Sequence, residues 1–271
     1  MEKSERGVAL VTGASSGIGR ATVEALVRAG YRVYGTSRKK VPAVPRDVTM
    51  LVCDVTDDAS VNQVLKDVIS MAGRIDLVVN NAGSGLIGGA EESSIAQAQD
   101  LFNVNVFGIF RVTNGVLPLM RAQGKGRIVN ISSVAGFLPG PFTALYTSTK
   151  HAVEGYSESL DHEVRGFGIR VALVEPAFTR TALEESAAQP DRMSEAYEQG
   201  RSGMNATWRK AIASGDTAEE VASTVVKAAT AATPKLRYTP GKKAGQLRLM
   251  RRFVPEKTFE KSFRKEMNLS A

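Results

Sequence analysis

Tyr146 and Lys150 stand four residues apart in the segment ALYTSTK, with small hydroxyl residues between them. On a helix, a spacing of four brings two side chains to the same face, one turn apart. A tyrosine hydroxyl ordinarily has a pKa of about 10, and a neighbouring ammonium group favours the phenolate form. The pair is therefore a candidate proton donor whose pKa the lysine lowers. Simple packing of a ring against a lysine stem explains the same spacing equally well.

A glycine-rich segment, TGASSGIG, follows the first apolar run of the chain and precedes a helical pattern. Gly13, Gly17 and Gly19 permit a tight turn and a close approach of the backbone to a phosphate, which the N–H groups of the helix start can bind. Their spacing differs from the usual G-x-G-x-x-G fingerprint of dinucleotide-binding proteins. A strand-to-helix turn that needs glycines for packing is the alternative, but the position between strand and helix favours phosphate binding.

The elements that must position these residues alternate between strand and helix. The runs are apolar throughout rather than alternating, which is typical of strands buried on both faces and joined by helical crossovers. The sequence predicts an α/β fold, a doubly wound parallel seven-stranded sheet (Rossmann fold) in a single domain over 1–271, with ligands bound at the carboxyl ends of the strands. Strands are expected at GVALVT, YRVYGTS, VTMLVCD, IDLVVN, GRIVNIS, IRVALVEP and LRYTP, and helices at 17–29, 57–72, 91–120 (ending near Pro118) and 144–165. Residues 182–233, which hold Trp208, are predicted to form a helical insertion that covers the substrate, and 241–271 a basic C-terminal helical extension.

Five motifs occur in order along the chain: TGASSGIG, NNAG at 80–83, Asn105 in FNVNVFG, Ser133 in NISSVAG, and Tyr146-x-x-x-Lys150. Over about residues 5–181 their order and spacing resemble the short-chain dehydrogenase/reductase family. The resemblance implies an oxidoreductase that interconverts a carbonyl and an alcohol by hydride transfer. It assigns Tyr146 as general acid/base and Lys150 as its partner, which also binds the nicotinamide ribose. Ser133 would orient the substrate oxygen, and Asn105 would hold a water that relays protons.

Two serines close the fifth predicted strand, and successive side chains there point to opposite faces. Only one of them can reach the site. The thirteen-residue step from Ser133 to Tyr146 matches the family, so Ser133 is assigned to the site and Ser132 to the structure.

The end of the second predicted strand bears on the choice of cofactor. A free ribose 2′-hydroxyl is usually met there by Asp or Glu, whereas this chain has Ser37 and Arg38. An arginine beside a hydroxyl suits a 2′-phosphate, so we expect NADP(H) rather than NAD(H). The usual Pro-Gly after the sixth strand appears here as Pro176–Ala177. The cofactor-binding residues that the glycine segment and the resemblance imply are Gly13, Ser15, Ser16, Gly17, Ile18, Gly19, Ser37, Arg38, Asp54, Val55, Asn81, Ala82, Gly83, Tyr146, Lys150, Pro176 and Thr181.

Composition excludes several other classes. The 271 residues are 43% hydrophobic and 23% charged, as in ordinary globular proteins, and a single Cys53 with two histidines argues against a disulfide framework and against a metal site. The N-terminus has no signal-peptide pattern, and no apolar run is long enough for a membrane span. We therefore expect a cytoplasmic protein without an integral membrane segment.

Basic charge is concentrated near the C-terminus. Residues 234–267 hold eleven Lys or Arg and three Glu, a net +8, which leaves −1 for the rest of a chain of net charge +7. Phe259 and Phe263 form an apolar stripe at helical spacing, which favours packing on the body or on a neighbouring subunit over nucleic-acid or membrane-surface binding. We expect no nucleic-acid partner.

Two other functions remain to be weighed. A hydrolase lacks support because the chain has no G-x-S-x-G elbow around Ser84. A catalytically silent NADP(H) sensor is the stronger alternative, but its Ser/Tyr/Lys set would usually be broken, and here the set is intact.

The substrate is predicted to be a lipophilic carbonyl or alcohol, such as a steroid, retinoid or acyl compound. Specificity in the family comes from the segments corresponding here to Val134–Phe142 and Phe178–Gly203. By resemblance, the helices at 91–120 and 144–165 are the surfaces of a homodimer or homotetramer. Candidate apolar wall residues are Phe137, Leu138, Phe142, Phe178, Met193 and Met204.

Overall fold

A computed structural model describes residues 6–41, 45, 47–181 and 187–267. Within them, seven parallel strands form one sheet in the order β3-β2-β1-β4-β5-β6-β7. Successive strands are added in one direction across the sheet up to β3 and in the opposite direction from β4 onwards. The boundary between β1 and β4 is the switch point at which doubly wound sheets bind ligands. This confirms the predicted fold class. The strands are Gly7–Val11 (β1), Tyr31–Ser37 (β2), Val48–Val52 (β3), Leu77–Asn80 (β4), Gly126–Ile131 (β5), Ile169–Val174 (β6) and Arg237–Tyr238 (β7).

Helices cover both faces of the sheet. On one face, Val23 and Leu26 of the first helix pack with Val221 and Val225 of a late helix. The other face is covered by helices between β3 and β6, whose valines and leucines form a second apolar cluster. The α-helices are Gly17–Arg28 (α1), Asp58–Ala72 (α2), Ile95–Phe102 (α3), Gly108–Gln123 (α4), Ala144–Val164 (α5), Glu198–Ala213 (α6), Ala218–Thr230 (α7), Gly241–Phe253 (α8) and Glu256–Glu266 (α9).

The helix predicted over 91–120 is interrupted. A 3₁₀ turn at Ala90–Glu92 precedes α3, and a π-helical turn at Asn103–Phe107 separates α3 from α4. Such turns insert an extra residue into a helix and are frequent at functional sites. Pro118 does not end α4, which continues to Gln123 and stops at Gly124 in the left-handed conformation.

The segment 182–233 is also more divided than the sequence indicated. Helix α7 lies within that range, yet it packs on the sheet beside α1. Only the part before α7 lies over the carboxyl edge. Its first five residues, 182–186, lie outside the described part of the chain.

In the part of the chain that the structure describes, we find no helix with the length and apolar character needed to cross a membrane.

Candidate functional site

Four strands deliver the predicted residues to one edge of the sheet. Gly13 follows β1, Asn81 follows β4, Ser133 follows β5 and Pro176 follows β6. Parallel neighbours end at the same edge, so these four segments meet there. The structure therefore brings the phosphate loop and the proposed catalytic residues together.

Tyr146 lies in the first turn of α5, close to the end of β5. The Ser133 hydroxyl lies close enough to the Tyr146 phenol to oppose the rise in its pKa. Lys150 lies one turn further along, with its Nζ 5.6 Å from the centroid of the Tyr146 ring, and it donates a hydrogen bond of 2.9 Å to the Ile131 carbonyl. Ser133, Tyr146 and Lys150 thus converge where β5 ends and α5 begins.

The expected effect of Lys150 on Tyr146 is wrong. Burial raises the pKa of Tyr146 to about 12, and the hydrogen bond from Ser133 only partly opposes this. Burial also lowers the pKa of Lys150 to about 8, against the effect of the Glu154 carboxylate. The sequence showed the spacing of the pair but not its removal from water, which disfavours both charged forms. At neutral pH Tyr146 is accordingly a neutral phenol, able to donate a proton.

Ser133 and Ser132 lie in different surroundings, as their alternation on the strand requires. The Ser133 Oγ accepts a hydrogen bond of 3.1 Å from the Ala135 N–H and lies 3.5 Å from the Pro176 carbonyl. Ser132 is buried, and its Oγ has no hydrogen-bond partner among the described residues. Of the two, Ser133 is the one that contacts Tyr146.

Asn105 sits in the π-helical turn, and its side chain links three segments. Its Oδ1 accepts from the Ser84 N–H at 2.8 Å, while its Nδ2 donates to the Ser84 carbonyl at 2.9 Å and to the Thr149 Oγ1 at 3.2 Å. The amide thereby holds the loop after β4 against α5. These contacts occupy both ends of the Asn105 amide.

The glycine segment has the close backbone approach that a nucleotide needs. A Cβ on Gly13, which has a φ of +66°, would lie 2.8 Å from the Ala82 Cα, and one on Gly19 would lie 2.1 Å from the Gly13 carbonyl oxygen. The Asn81 Nδ2 donates to the carbonyls of Thr12 and Gly13, each at 3.0 Å. These two positions therefore accept only glycine, and the segment after β4 supports the loop. We call the segment from Gly13 to Gly19 the glycine cradle.

Other residues assigned to the cofactor lie around that cradle. Ser16 takes the N-cap position of α1, and no described side chain caps the helix there, which leaves its first N–H groups for a phosphate. Thr181 lies against Gly17, where a Cβ would be 3.4 Å from the threonine side chain. Ile18 packs towards the core beneath the loop.

The residues predicted to bind the adenosine part of the cofactor fall into two groups, exposed and buried. Arg38 is exposed, whereas the Ser37 hydroxyl is buried and donates to the Lys39 carbonyl. Hydrogen bonds from the Thr56 N–H and hydroxyl lower the pKa of Asp54, and the charge of Arg38 adds to this. Val55 is a core residue: a Cβ on Gly108 would lie 2.9 Å from it. Arg38 thus remains the side chain best placed for a phosphate, and Asp54 lies near it.

The apolar wall residues have separate positions. Phe142 has a φ of 57°, and its ring lies against Gly200 and edge-on to Tyr197 at 6.2 Å. Phe178 packs edge-on to Trp208 at 5.7 Å. Met204 and Leu138 are buried, while Met193 is exposed. The segment before α7 therefore reaches the site through aromatic contacts.

Two groups of charged residues were not predicted from the sequence. Buried Glu92 accepts from Arg201 of α6 and from the N–H groups of Gly89 and Ser194, which ties the 188–201 segment to the loop after β4. Burial opposes ionisation of Glu92, but these hydrogen bonds outweigh it and lower its pKa. The second group, Glu154, Glu175, Arg237 and Arg248, lies beneath the catalytic helix. The signal for this second group in the sequence was Glu175, an acid within the apolar run IRVALVEP.

Comparison with known proteins identifies relatives over most of the chain. A family model described as short chain dehydrogenase matches residues 7–192. A 3-ketodihydrosphingosine reductase of Bacteroides thetaiotaomicron is 42% identical over 179 residues, or 66% of this chain and 66% of that protein. The crystal structure of a short-chain dehydrogenase from Streptomyces avermitilis is 36% identical, with a TM-score of 0.83, and the match covers 98% of this chain and 99% of that one.

Solved neighbours contain both nicotinamide cofactors. A short-chain dehydrogenase/reductase from Burkholderia phymatum, solved with NAD, is 27% identical with a TM-score of 0.79, and the match covers 94% of this chain and 96% of that one. A metagenomic short-chain oxidoreductase of 28% identity was solved with NADP, at a TM-score of 0.70 and with 88% of this chain and 99% of that one covered. The neighbours support a nicotinamide cofactor without selecting one.

Proposed function

Because the chain belongs to the short-chain dehydrogenase/reductase family and is an oxidoreductase, we propose that it uses NADP(H) to interconvert a lipophilic carbonyl compound and its alcohol. Tyr146 is the general acid/base. The observation that carries the proposal is the proximity of Ser133 to a half-buried Tyr146, one turn from Lys150, at the sheet edge that also holds the glycine cradle. An intact set of this kind also argues against a catalytically silent sensor.

The residues present fit a nicotinamide dinucleotide. The glycine cradle and the start of α1 would hold the pyrophosphate, and Lys150 would bind the ribose hydroxyls. When bound, the nicotinamide supplies or accepts the hydride. Tyr146 gives its proton to the developing alkoxide, and its raised pKa keeps that proton on the phenol until the alkoxide forms. Ser133 donates to the same oxygen and orients it.

Reprotonation of Tyr146 then passes through Lys150. Its ammonium is held by the Ile131 carbonyl beside β5, and its pKa near 8 makes proton release possible at a modest free-energy cost. A water on the main-chain carbonyl of Asn105 connects Lys150 to solvent. The side chain of Asn105 fixes that turn through Ser84 and Thr149.

Arg38 supports NADP(H) over NAD(H). It follows β2 at the position where a cofactor with a free 2′-hydroxyl usually meets a carboxylate, and it is exposed to a ligand in the cradle. A guanidinium can bind the 2′-phosphate through two hydrogen bonds. Ser37 contributes less, since its hydroxyl is engaged by the Lys39 carbonyl.

A long-chain ketone is the substrate class that we propose. Phe142, Phe178 and Trp208 bring three aromatic rings to the covering segment, which suits an apolar chain. The bacterial relative named for reduction of 3-ketodihydrosphingosine points to the same chemistry. Reduction is the proposed direction, because NADP(H), the cofactor that Arg38 supports, ordinarily serves as a reductant in cells.

We also propose that the chain forms a homodimer or homotetramer through α4 and α5. Phe107 is exposed there, its ring lies 6.0 Å from that of Phe110, and Phe110 lies 4.1 Å from the Tyr156 ring. Three adjoining aromatic rings on two neighbouring helices form a surface that a second copy would bury.

The experiment that tests the proposed function follows NADPH absorbance with carbonyl compounds of graded chain length. Turnover of 3-ketodihydrosphingosine and long-chain ketones, with a kcat/KM at least tenfold above that of short polar ketones, would support it. The absence of NADPH consumption with every lipophilic carbonyl would contradict it.

A further inference from the structure

Helix α8 exposes large apolar residues that an ordinary surface helix would bury. Its Arg248 points inwards, where Nη1 donates to buried Glu175 and the guanidinium lies 4.9 Å from the Phe137 ring. Three of its four large apolar residues point outwards, since Leu249 is 60% exposed, Met250 45% and Phe253 72%, whereas Leu247 is half-buried. A surface helix normally buries its apolar face and exposes its charges.

The outward apolar residues form one continuous patch. Position 253 lies three residues after 250 and four after 249, so the Phe253 side chain adjoins both of the others on one helix face. Cations border that face, since Arg252 and Lys243 lie to either side of it and are exposed. We call Leu249, Met250 and Phe253 the apolar patch of α8.

Helix α9 follows α8 in the chain and carries a stripe of exposed lysines. Its Phe259 is buried and stacks on Phe263 at 6.0 Å. Lys257, Lys261 and Lys265 recur every fourth residue and are exposed, so they form a stripe on the outer side of the helix. The aromatic stripe of α9 thus packs inwards, as the sequence predicted, whereas the apolar patch of α8 does not.

We propose that α8 and α9 dock on the surface of an anionic lipid bilayer, with the apolar patch entering the headgroup region and the lysine stripe binding lipid phosphates. Charge complementarity selects this occupant. Residues 234–267 carry a net +8, so a second copy applied to the same face would bring two strongly basic surfaces together. An exposed apolar patch among cations is the pattern of helices that lie in the membrane interface.

The docking helix also borders the proposed substrate pocket. Arg248 lies over Phe137, and the Nζ of Lys243 is 5.4 Å from the Phe178 ring. Docking would therefore place the pocket at the bilayer, where a long-chain ketone resides. This last step rests on the proposed function, whereas vesicle binding does not require turnover.

The test is co-sedimentation of the full chain with vesicles of phosphatidylcholine alone or mixed with phosphatidylglycerol, at low and high salt. We expect at least tenfold stronger binding to the anionic vesicles, reduced by salt. The variant Leu249→Ser/Met250→Ser/Phe253→Ser should lose at least tenfold of that binding, and Lys257→Glu/Lys261→Glu/Lys265→Glu should lose it as well. Turnover of a short, water-soluble ketone should be unchanged in both variants, which shows that they fold.

Matched controls come from exposed residues elsewhere on the chain. Met71→Ser/Ile95→Ser removes two exposed apolar side chains, and Arg28→Glu/Lys66→Glu reverses two exposed charges. Neither should change binding. The proposal is overturned if the anionic vesicles fail to bind the chain at low salt, or if the patch variant binds like the unmodified chain. It is also overturned if that variant turns a dimer into a monomer without any effect on vesicle binding, since the patch would then contact a second copy.

Discussion

Arg248 of α8 donates a hydrogen bond of 2.5 Å to Glu175, a fully buried carboxylate immediately after β6. The same Glu175 oxygen lies 3.5 Å from the Arg237 Nε, which is 2.9 Å from Glu154 on α5. Glu154 lies one turn beyond Lys150. Burial and the Glu154 carboxylate raise the pKa of Glu175, while the two guanidinium groups oppose them. A buried ionic cluster thus connects the C-terminal extension to the catalytic helix.

Replacing Arg248 with Met should destabilise the chain by about 1–3 kcal/mol, because the buried Glu175 carboxyl, whose pKa is already raised, loses a hydrogen-bond donor. Adding Glu175→Gln should recover part of that loss, since the buried group can then no longer ionise. Urea unfolding of the two single variants and the double variant measures the coupling. Arg252→Met, an exposed arginine of the same helix, should change stability by less than about 0.5 kcal/mol. An equal loss in the single and double variants would contradict this account of the cluster.

Replacing Arg38 with Ala should lower the preference for NADPH over NADH, measured as the ratio of kcat/KM values, by about ten- to a hundredfold. The reason is that Arg38 is the exposed guanidinium at the end of β2. Lys40→Ala, two residues further along, removes a solvated charge and should change the ratio by less than about twofold. An unchanged ratio in Arg38→Ala would refute the assignment of the 2′-phosphate site.

Arg201 should control substrate binding through the segment that it anchors. Arg201→Met removes the cation from buried Glu92 and loosens the 188–201 segment, so KM for the carbonyl substrate should rise about three- to tenfold while KM for NADPH changes little. Steady-state kinetics with each substrate varied in turn separates the two constants. Arg209→Met, on the exposed side of α6, serves as the control and should leave both unchanged. An equal rise in both KM values would argue for general destabilisation instead.

Asp161 should contribute stability that depends on pH. Burial opposes its ionisation, but Arg170, the Val171 N–H and Arg165 outweigh burial and lower its pKa to about 2. A lowered pKa in the folded state stabilises it above the unfolded value, and this contribution is lost as pH falls towards 2. Asp161→Asn should therefore cost about 2.5 kcal/mol at neutral pH and roughly half of that at pH 3. Urea unfolding at both pH values checks this, and a cost independent of pH would contradict it.

The sequence was sufficient for the sheet and for the place of the site. Continuous apolar runs predicted the parallel strands within a few residues, and the motif order put Ser133, Tyr146 and Lys150 at one edge. It did not reveal the π-helical turn, because apolar residues continue through Asn103–Phe107 without a visible break. Such a turn is a local change in hydrogen bonding that side-chain periodicity barely records.

Burial and distant partners were equally hidden. The raised pKa of Tyr146 depends on how completely the fold removes the phenol from water, which the spacing to Lys150 does not show. Glu154 and Arg237 are 83 residues apart in the chain, and only the folded sheet brings them together. A single charged residue inside an apolar run indicates a buried charge, but it does not identify the residue that pairs with that charge.

Tyr146→Phe gives the most direct test of the central claim, that this phenol donates the proton in carbonyl reduction. We expect turnover to fall by about a thousandfold or more, while NADPH binding, followed by fluorescence, stays within about twofold, since the ring remains in place and only the hydroxyl is lost. Tyr156→Phe, on the same helix but outside the site, should retain full activity. A Tyr146→Phe variant that kept a tenth or more of the original turnover would contradict the account.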